Sequence, residues 1–349
     1  MEQLQHPAEI SSTQQTQHIL SLDAIKAFAI LAVILTHVGD IPDGVKRICL
    51  WPYTVIPAVP IFMICSIFAY CLAEDKKQGT ILSWFSTKTF CKRIGYILIP
   101  FLVAIFATVA GICIIADASW LPPSSVFQMV MQGGKGPGAY YTLLVMQLLM
   151  VFPFLRHAYN KNQMATVVTL VLVHVAYEFL CKTYKLDTDL YQVLIFRFFT
   201  HFALGFLLYS YYEQLKGTAL PAVCILIGAI YLHYTYWGDY RQVFVYKYVS
   251  VSLIPALYSF GILCYLFRLE PLLQRIQKSL IGQALLRPVL QTGKASYHIM
   301  LAQMVYFYFA RRTGWEAQLG SWPIALLVDV AICLIVGRIF YAIEAFIRK

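Results

Sequence analysis

The sequence predicts an all-α fold, a polytopic membrane helix bundle of about ten transmembrane helices, and three observations carry that expectation. The chain of 349 residues is 60% hydrophobic, 15% aromatic and only 13% charged, a balance too apolar for a soluble domain of this length. Windows of about twenty apolar residues, the length that crosses a bilayer, recur near 20–38, 51–73, 94–116, 139–155, 163–180, 191–212, 219–237, 243–267, 295–311 and 322–343. Lysine and arginine gather between those windows. With the N-terminus inside, fifteen of the 27 fall in inner connectors and nine in outer ones, an asymmetry that places both termini in the cytoplasm. The net charge of +10 is therefore read as contact with anionic lipid headgroups rather than with nucleic acid.

The chain opens on a polar tail over residues 1–19, without a charged start, an apolar run and a cleavage pattern, so the first span is expected to act as an uncleaved anchor. Residues 20–349 are then expected to form one membrane domain. The first span, SLDAIKAFAILAVILTHVGD from Ser21 to Asp40, carries Asp23, Lys26 and His37. Eleven residues separate Lys26 from His37, which returns both side chains to one stripe of a helix, about 16 Å apart along its axis. Asp23 lies on the same stripe, within reach of an intrahelical ion pair with Lys26. Ionisable groups on an otherwise apolar span are costly in lipid, so this stripe should face protein or a wet cavity.

The second span holds Pro52, Pro57 and Pro60. Each removes a backbone donor and breaks or kinks a helix, which is tolerable at membrane depth only beside protein or water. A cavity wall next to His37 would satisfy that condition, as would a packing kink. Thr80 to Gly95 mixes Trp84, Phe85 and Phe90 with Lys88, Lys92 and Arg93, the pattern of an interfacial helix. The loop Asp117–Gly138, ending in GGKGPG, lacks the flanking strand and Lys-Ser or Lys-Thr ending of a phosphate loop and reads as a lid or connector.

Later spans contain further ionisable groups at two depths. His37, Asp40, His174, Glu178, Arg197 and His201 lie toward the outer side; Asp23, Lys26, Arg93, Tyr297, Arg338 and Glu344 lie toward the inner side, with Asp329 between. Any one of them suits a buried pair that holds helices together, whereas two levels joined by the first-helix stripe suggest a site. The connector from Arg268 to Lys294 is basic and amphipathic, as an inner-surface helix would be. The nine cysteines fall singly, without metal or redox spacing, and are assigned to packing.

Three stretches also occur together. They are Leu22-Asp23, Lys26 and His37; Lys92-Arg93 followed by Pro100; and Gly293-Lys294-Ala295-Ser296-Tyr297 opening a late helix. In this combination the chain resembles the integral-membrane acyltransferase-3 family over most of its length. Tyr96 stands near where that family usually has a second arginine, and Gln303 where the late helix usually has histidine.

The resemblance implies an acyltransferase that moves an acyl group, acetyl being the commonest, from acyl-CoA to a hydroxyl of a cell-envelope polysaccharide or lipid-linked saccharide. The implied setting is the bacterial inner membrane, with no metal. It implies His37 as base, with Lys26 and Asp23 completing the catalytic stripe. Lys92, Arg93 and Tyr297 would contact the coenzyme, and Glu178, Arg197, His201 and Gln303 the acceptor. The alternative is a transporter or exporter of a saccharide or lipid-linked glycan intermediate, which would also use broken helices and buried charges.

Overall fold

A computed structural model describes residues 19–39, 41–75, 81–116, 120–238, 240 and 245–348. The polar tail and Asp40, both singled out above, lie outside the described residues. Every expected span coincides with a helix: α1 (Leu20–Leu35), α2 (Ala58–Asp75), α3 (Thr87–Ala116), α4 (Tyr141–Lys161), α5 (Gln163–Thr183), α6 (Phe199–Leu215), α7 (Leu220–Trp237), α8 (Leu253–Phe267), then α10 (Ser296–Thr313) and α11 (Trp322–Ile347). Between α8 and α10 the amphipathic connector folds as a short helix, Glu270–Gln277, and as α9 (Leu280–Lys294). Among the described residues there is no strand.

Seven stretches are long and apolar enough to cross a membrane. They contain α2, α3, α4, α5, α7, α8 and α11. The helices that fall short of that standard, α1, α6 and α10, are short or polar because they form the interior. α1 has 16 residues, ten of them buried, and α6 has 17, again with ten buried. α10 buries His298 and Gln303. A helix surrounded by other helices need not be uniformly apolar, since its polar side chains meet protein and not lipid. By contrast α11 buries only Ala325, Asp329, Cys333 and Gly337 of its 26 residues and presents an apolar flank to lipid.

Packing divides into a large core shared by α1, α2, α6, α8, α10 and α11, a second joining α2, α4 and α6, and a small one between α3 and α10. α1 is pinned at both ends. At its start the Leu20 and Ser21 amides donate to the Glu270 carboxylate, at 3.2 and 2.6 Å, so a remote acid caps the positive helix end. One turn later α9 crosses α1 so closely that a Cβ added to Gly293 would lie 1.9 Å from the Asp23 carbonyl oxygen. At the far end the helix stops at Leu35, and the Arg311 guanidinium donates to the His37 carbonyl at 3.2 Å.

Two connectors differ in detail from expectation. Trp84 does not lie on the lipid surface: it is buried, its indole N–H donates to the Leu149 carbonyl at 3.0 Å, and Arg93 stacks 3.4 Å from its ring. The glycine-rich loop is packed onto α10. Gly133, Gly134, Gly136 and Gly138 all have positive φ, and a Cβ on Gly136 would meet the Met304 carbonyl at 2.2 Å. Its glycines serve turn geometry and close approach.

Candidate active site

Lys26 and His37 border two separate cavities. The inner one, about 590 Å³, is lined by Lys26 from α1, Lys294 at the end of α9, His298 from α10, and Tyr341, Glu344 and Arg348 around the end of α11. Its charges form a chain: the Glu344 carboxylate pairs with both the His298 ring and the Arg348 guanidinium. Arg348 also donates to the Gly95 carbonyl at 2.7 Å and lies 4.0 Å from the Tyr96 ring. A cation from beyond the last helix thus stands beside Tyr96, where the resemblance leads one to look for arginine. With Glu344 engaged by Arg348 and His298, the ammonium groups of Lys26 and Lys294 leave the cavity electropositive.

The outer cavity, about 240 Å³, is lined by Thr36 and His37, by Val55 and Ile56 of the proline-broken stretch, and by Tyr140, Tyr248 and Ser250. The break that the three prolines impose therefore supplies a wall beside His37. The helix Trp51–Thr54 ends, and α2 starts only at Ala58. The His37 ring packs edge-on against Phe307, 6.0 Å between centroids. No acidic side chain is found among the described residues that line this cavity.

The two cavities have Phe62, Tyr141, Ser296 and Tyr297 in common. Phe62 and Tyr141 meet edge to face at 6.1 Å, and the Tyr297 hydroxyl donates to the Ile97 carbonyl at 2.8 Å. These side chains make a narrow aromatic waist between the levels. Helical spacing in α1 places Lys26 below the waist and His37 above it.

The other residues singled out in the sequence fall in three groups. Tyr297 is at the waist. Asp23 is buried on α1 against α9; among the ion pairs of the described residues none joins it to Lys26, which faces the inner cavity instead. Lys92 is exposed and outside that cavity, and Arg93 lies behind its wall, stacked on Trp84. Glu178, Arg197 and His201 gather behind the outer cavity. Glu178 accepts from the Tyr191 hydroxyl at 2.5 Å and the Tyr246 amide at 3.0 Å, while His174 meets Thr200 at 2.7 Å and lies 6.2 Å from His201. Gln303 is fully buried, its amide 3.0 Å from the Met300 sulfur. Sequence reasoning overlooked His298, whose only signal was its place one residue after the Ser-Tyr pair opening α10.

A family model described as an acyltransferase domain matches residues 19–338, nearly the whole helical body, all of the outer cavity's lining and all of the inner cavity's except Tyr341, Glu344, Ala345 and Arg348. The chain belongs to the acyltransferase-3 family. It is an integral membrane acyltransferase. No curated protein and no solved structure matches the chain.

Proposed function

We propose that this acyltransferase moves an acyl group, acetyl in the simplest case, from acyl-CoA to a hydroxyl of a cell-envelope polysaccharide or lipid-linked saccharide, in a bacterial inner membrane with both termini cytoplasmic. The observation that carries the reading is the pair of cavities bordered by Lys26 and His37 and sharing the waist Phe62, Tyr141, Ser296 and Tyr297. Coenzyme A joins a strongly anionic, phosphorylated end to a slender arm that ends in the thioester. The electropositive inner cavity suits the first, through charge-assisted contacts from Lys26, Lys294 and Arg348, and the waist suits the second.

His37 then acts as general base. It accepts the proton of the acceptor hydroxyl as the oxygen bonds to the acyl carbon; the carbon–sulfur bond breaks, and the thiolate leaves with that proton. A neutral imidazole beside a serine- and tyrosine-lined cavity is suited to such a transfer, and the matched family favours transfer over export. Asp23, buried on the same stripe, supports the lower turn of α1 where Lys26 sits. Lys92 and Arg93 contribute a cationic approach from the cytoplasmic surface.

The test is transfer of radiolabel from acetyl-CoA to envelope glycan in vesicles that contain the purified protein alone. Label should enter glycan as an alkali-labile ester. Release of free acetate with no labelled glycan would overturn the proposal.

A further inference from the structure

The largest fully buried side chain among the described residues is a cation. Arg197, in the short helix Ile195–Phe198 before α6, is 1% exposed, and its guanidinium is boxed by the rings of Tyr140, Tyr191, Phe198 and Tyr248 at 4.6, 5.5, 4.7 and 5.7 Å. Its Nε and Nη2 have no hydrogen-bond partner among the described residues. A neighbouring acid, Glu178, is occupied by Tyr191 and Tyr246 and forms no ion pair with it among those of the described residues. Aromatic faces attract a cation but accept its N–H groups only weakly, so a buried guanidinium with such groups otherwise idle gains from an anion that completes it.

Two of the four rings, Tyr140 and Tyr248, also line the outer cavity. They stand between Arg197 and the space beside His37. No acid lines that cavity among the described residues, and a second cation, Arg311, lies against the His37 backbone. The lining of the outer cavity therefore has no acid of its own, with an incompletely hydrogen-bonded cation behind it, together with tyrosine faces of the kind that stack on sugar rings.

We propose that Arg197, behind Tyr140 and Tyr248, is the anion-recognising end of the acceptor subsite, so that the acyl acceptor is an acidic saccharide bearing a carboxylate or a phosphate. This rests on the acyltransferase reading for the word acceptor, and on the cavity alone for the preference for an anion. A planar guanidinium can hold either group through two parallel N–H bonds. The sugar hydroxyl to be acylated then faces His37, with Tyr140 and Tyr248 turning aside to admit the charged substituent.

The experiment is saturation-transfer NMR and calorimetry on the purified full chain, with no coenzyme present. One arm compares methyl glucuronoside with its neutral methyl ester, and the other compares glucose 6-phosphate with glucose. Binding of the charged partner at least tenfold tighter in either arm supports the proposal, and the arm that responds identifies carboxylate or phosphate. The preference should vanish in Arg197→Gln and survive in part in Arg197→Lys. Equal affinity for charged and neutral partners in both arms of the parent overturns it, and this comparison needs no variant to fold. A preference that persists unchanged in folded Arg197→Gln overturns it too. A charge preference in a protein that transfers no acetyl leaves this subsite standing and removes the acyltransferase reading instead.

Discussion

Lys26 on α1 and His37, two residues past its end, border different cavities on opposite sides of an aromatic waist, and so should fail separately. His37→Ala removes the base without touching the inner cations. It should keep acetyl-CoA affinity by calorimetry while transfer falls about 10²–10⁴-fold, the usual contribution of a positioned base. Lys294→Ala should do the reverse, weakening donor affinity about ten- to a hundredfold for the loss of one charge-assisted contact. The exposed, cavity-remote Lys92 gives the comparison its point: Lys92→Ala should bind acetyl-CoA close to the parent. If Lys92→Ala loses more affinity than Lys294→Ala, the donor headgroup lies at the cytoplasmic mouth of α3 and not in the inner cavity. Arg348 is less simple to test, because removing it also strands Glu344 beside His298 and mixes binding with stability.

At the scale of elements, the closest approach in the site's scaffold is α9 against the first turn of α1. Adding a methyl group at Gly293 would force the Asp23 carbonyl from 1.9 Å to a contact distance, displacing the helix that carries Lys26 and leads into His37. Gly293→Ala should therefore destabilise the protein by about 1–3 kcal/mol, as overpacking does, with a lowered unfolding temperature and lost transfer together. Gly217→Ala, with nothing within 4 Å of the added carbon, should leave both unchanged, and a matching loss there would detach the effect from the α1–α9 crossing. The existence and order of the long helices were legible in the sequence from the apolar windows, but the number of spans was not, since only seven stretches are long and apolar enough to cross a membrane. The single helical stripe expected for Lys26 and His37 was legible only in part, because α1 ends at Leu35 and His37 reaches its cavity from the turn that follows. What could not be read was which flanking cations reach a cavity. Lys92, Lys294 and Arg348 look alike as charges at span ends, and only the tertiary path of α9 and α11 separates them. His298 was hidden for the same reason, since its partner Glu344 is 46 residues away.

For the molecule as a whole, the two-cavity arrangement makes a sided prediction. The inner cavity is bounded by Lys294, Tyr96 and Arg348, and the outer one by Gly138 and Tyr248, so the ends of α9 and α11 and the start of α3 belong to one face and the glycine-rich loop to the other. In the proposed orientation, with both termini cytoplasmic, the first of these faces is the cytoplasmic one. Reporter fusions after Ile347 and within 133–138 should accordingly report opposite sides. Acetyl-CoA does not cross a bilayer, so it should support glycan labelling in sealed vesicles only when the Lys294–Arg348 face is outward. A narrow waist between the cavities adds a second expectation to the same assay. Tyr141→Trp, which enlarges a side chain shared by both cavities, should depress transfer while leaving acetyl-CoA affinity near that of the parent if, as proposed, the phosphates bind below the waist and only the thioester must pass it. Labelling of equal strength from both orientations of sealed vesicles would mean that donor enters from either face, and the division into an inner donor level and an outer acceptor level would then have to be abandoned even if His37 proved to be the base.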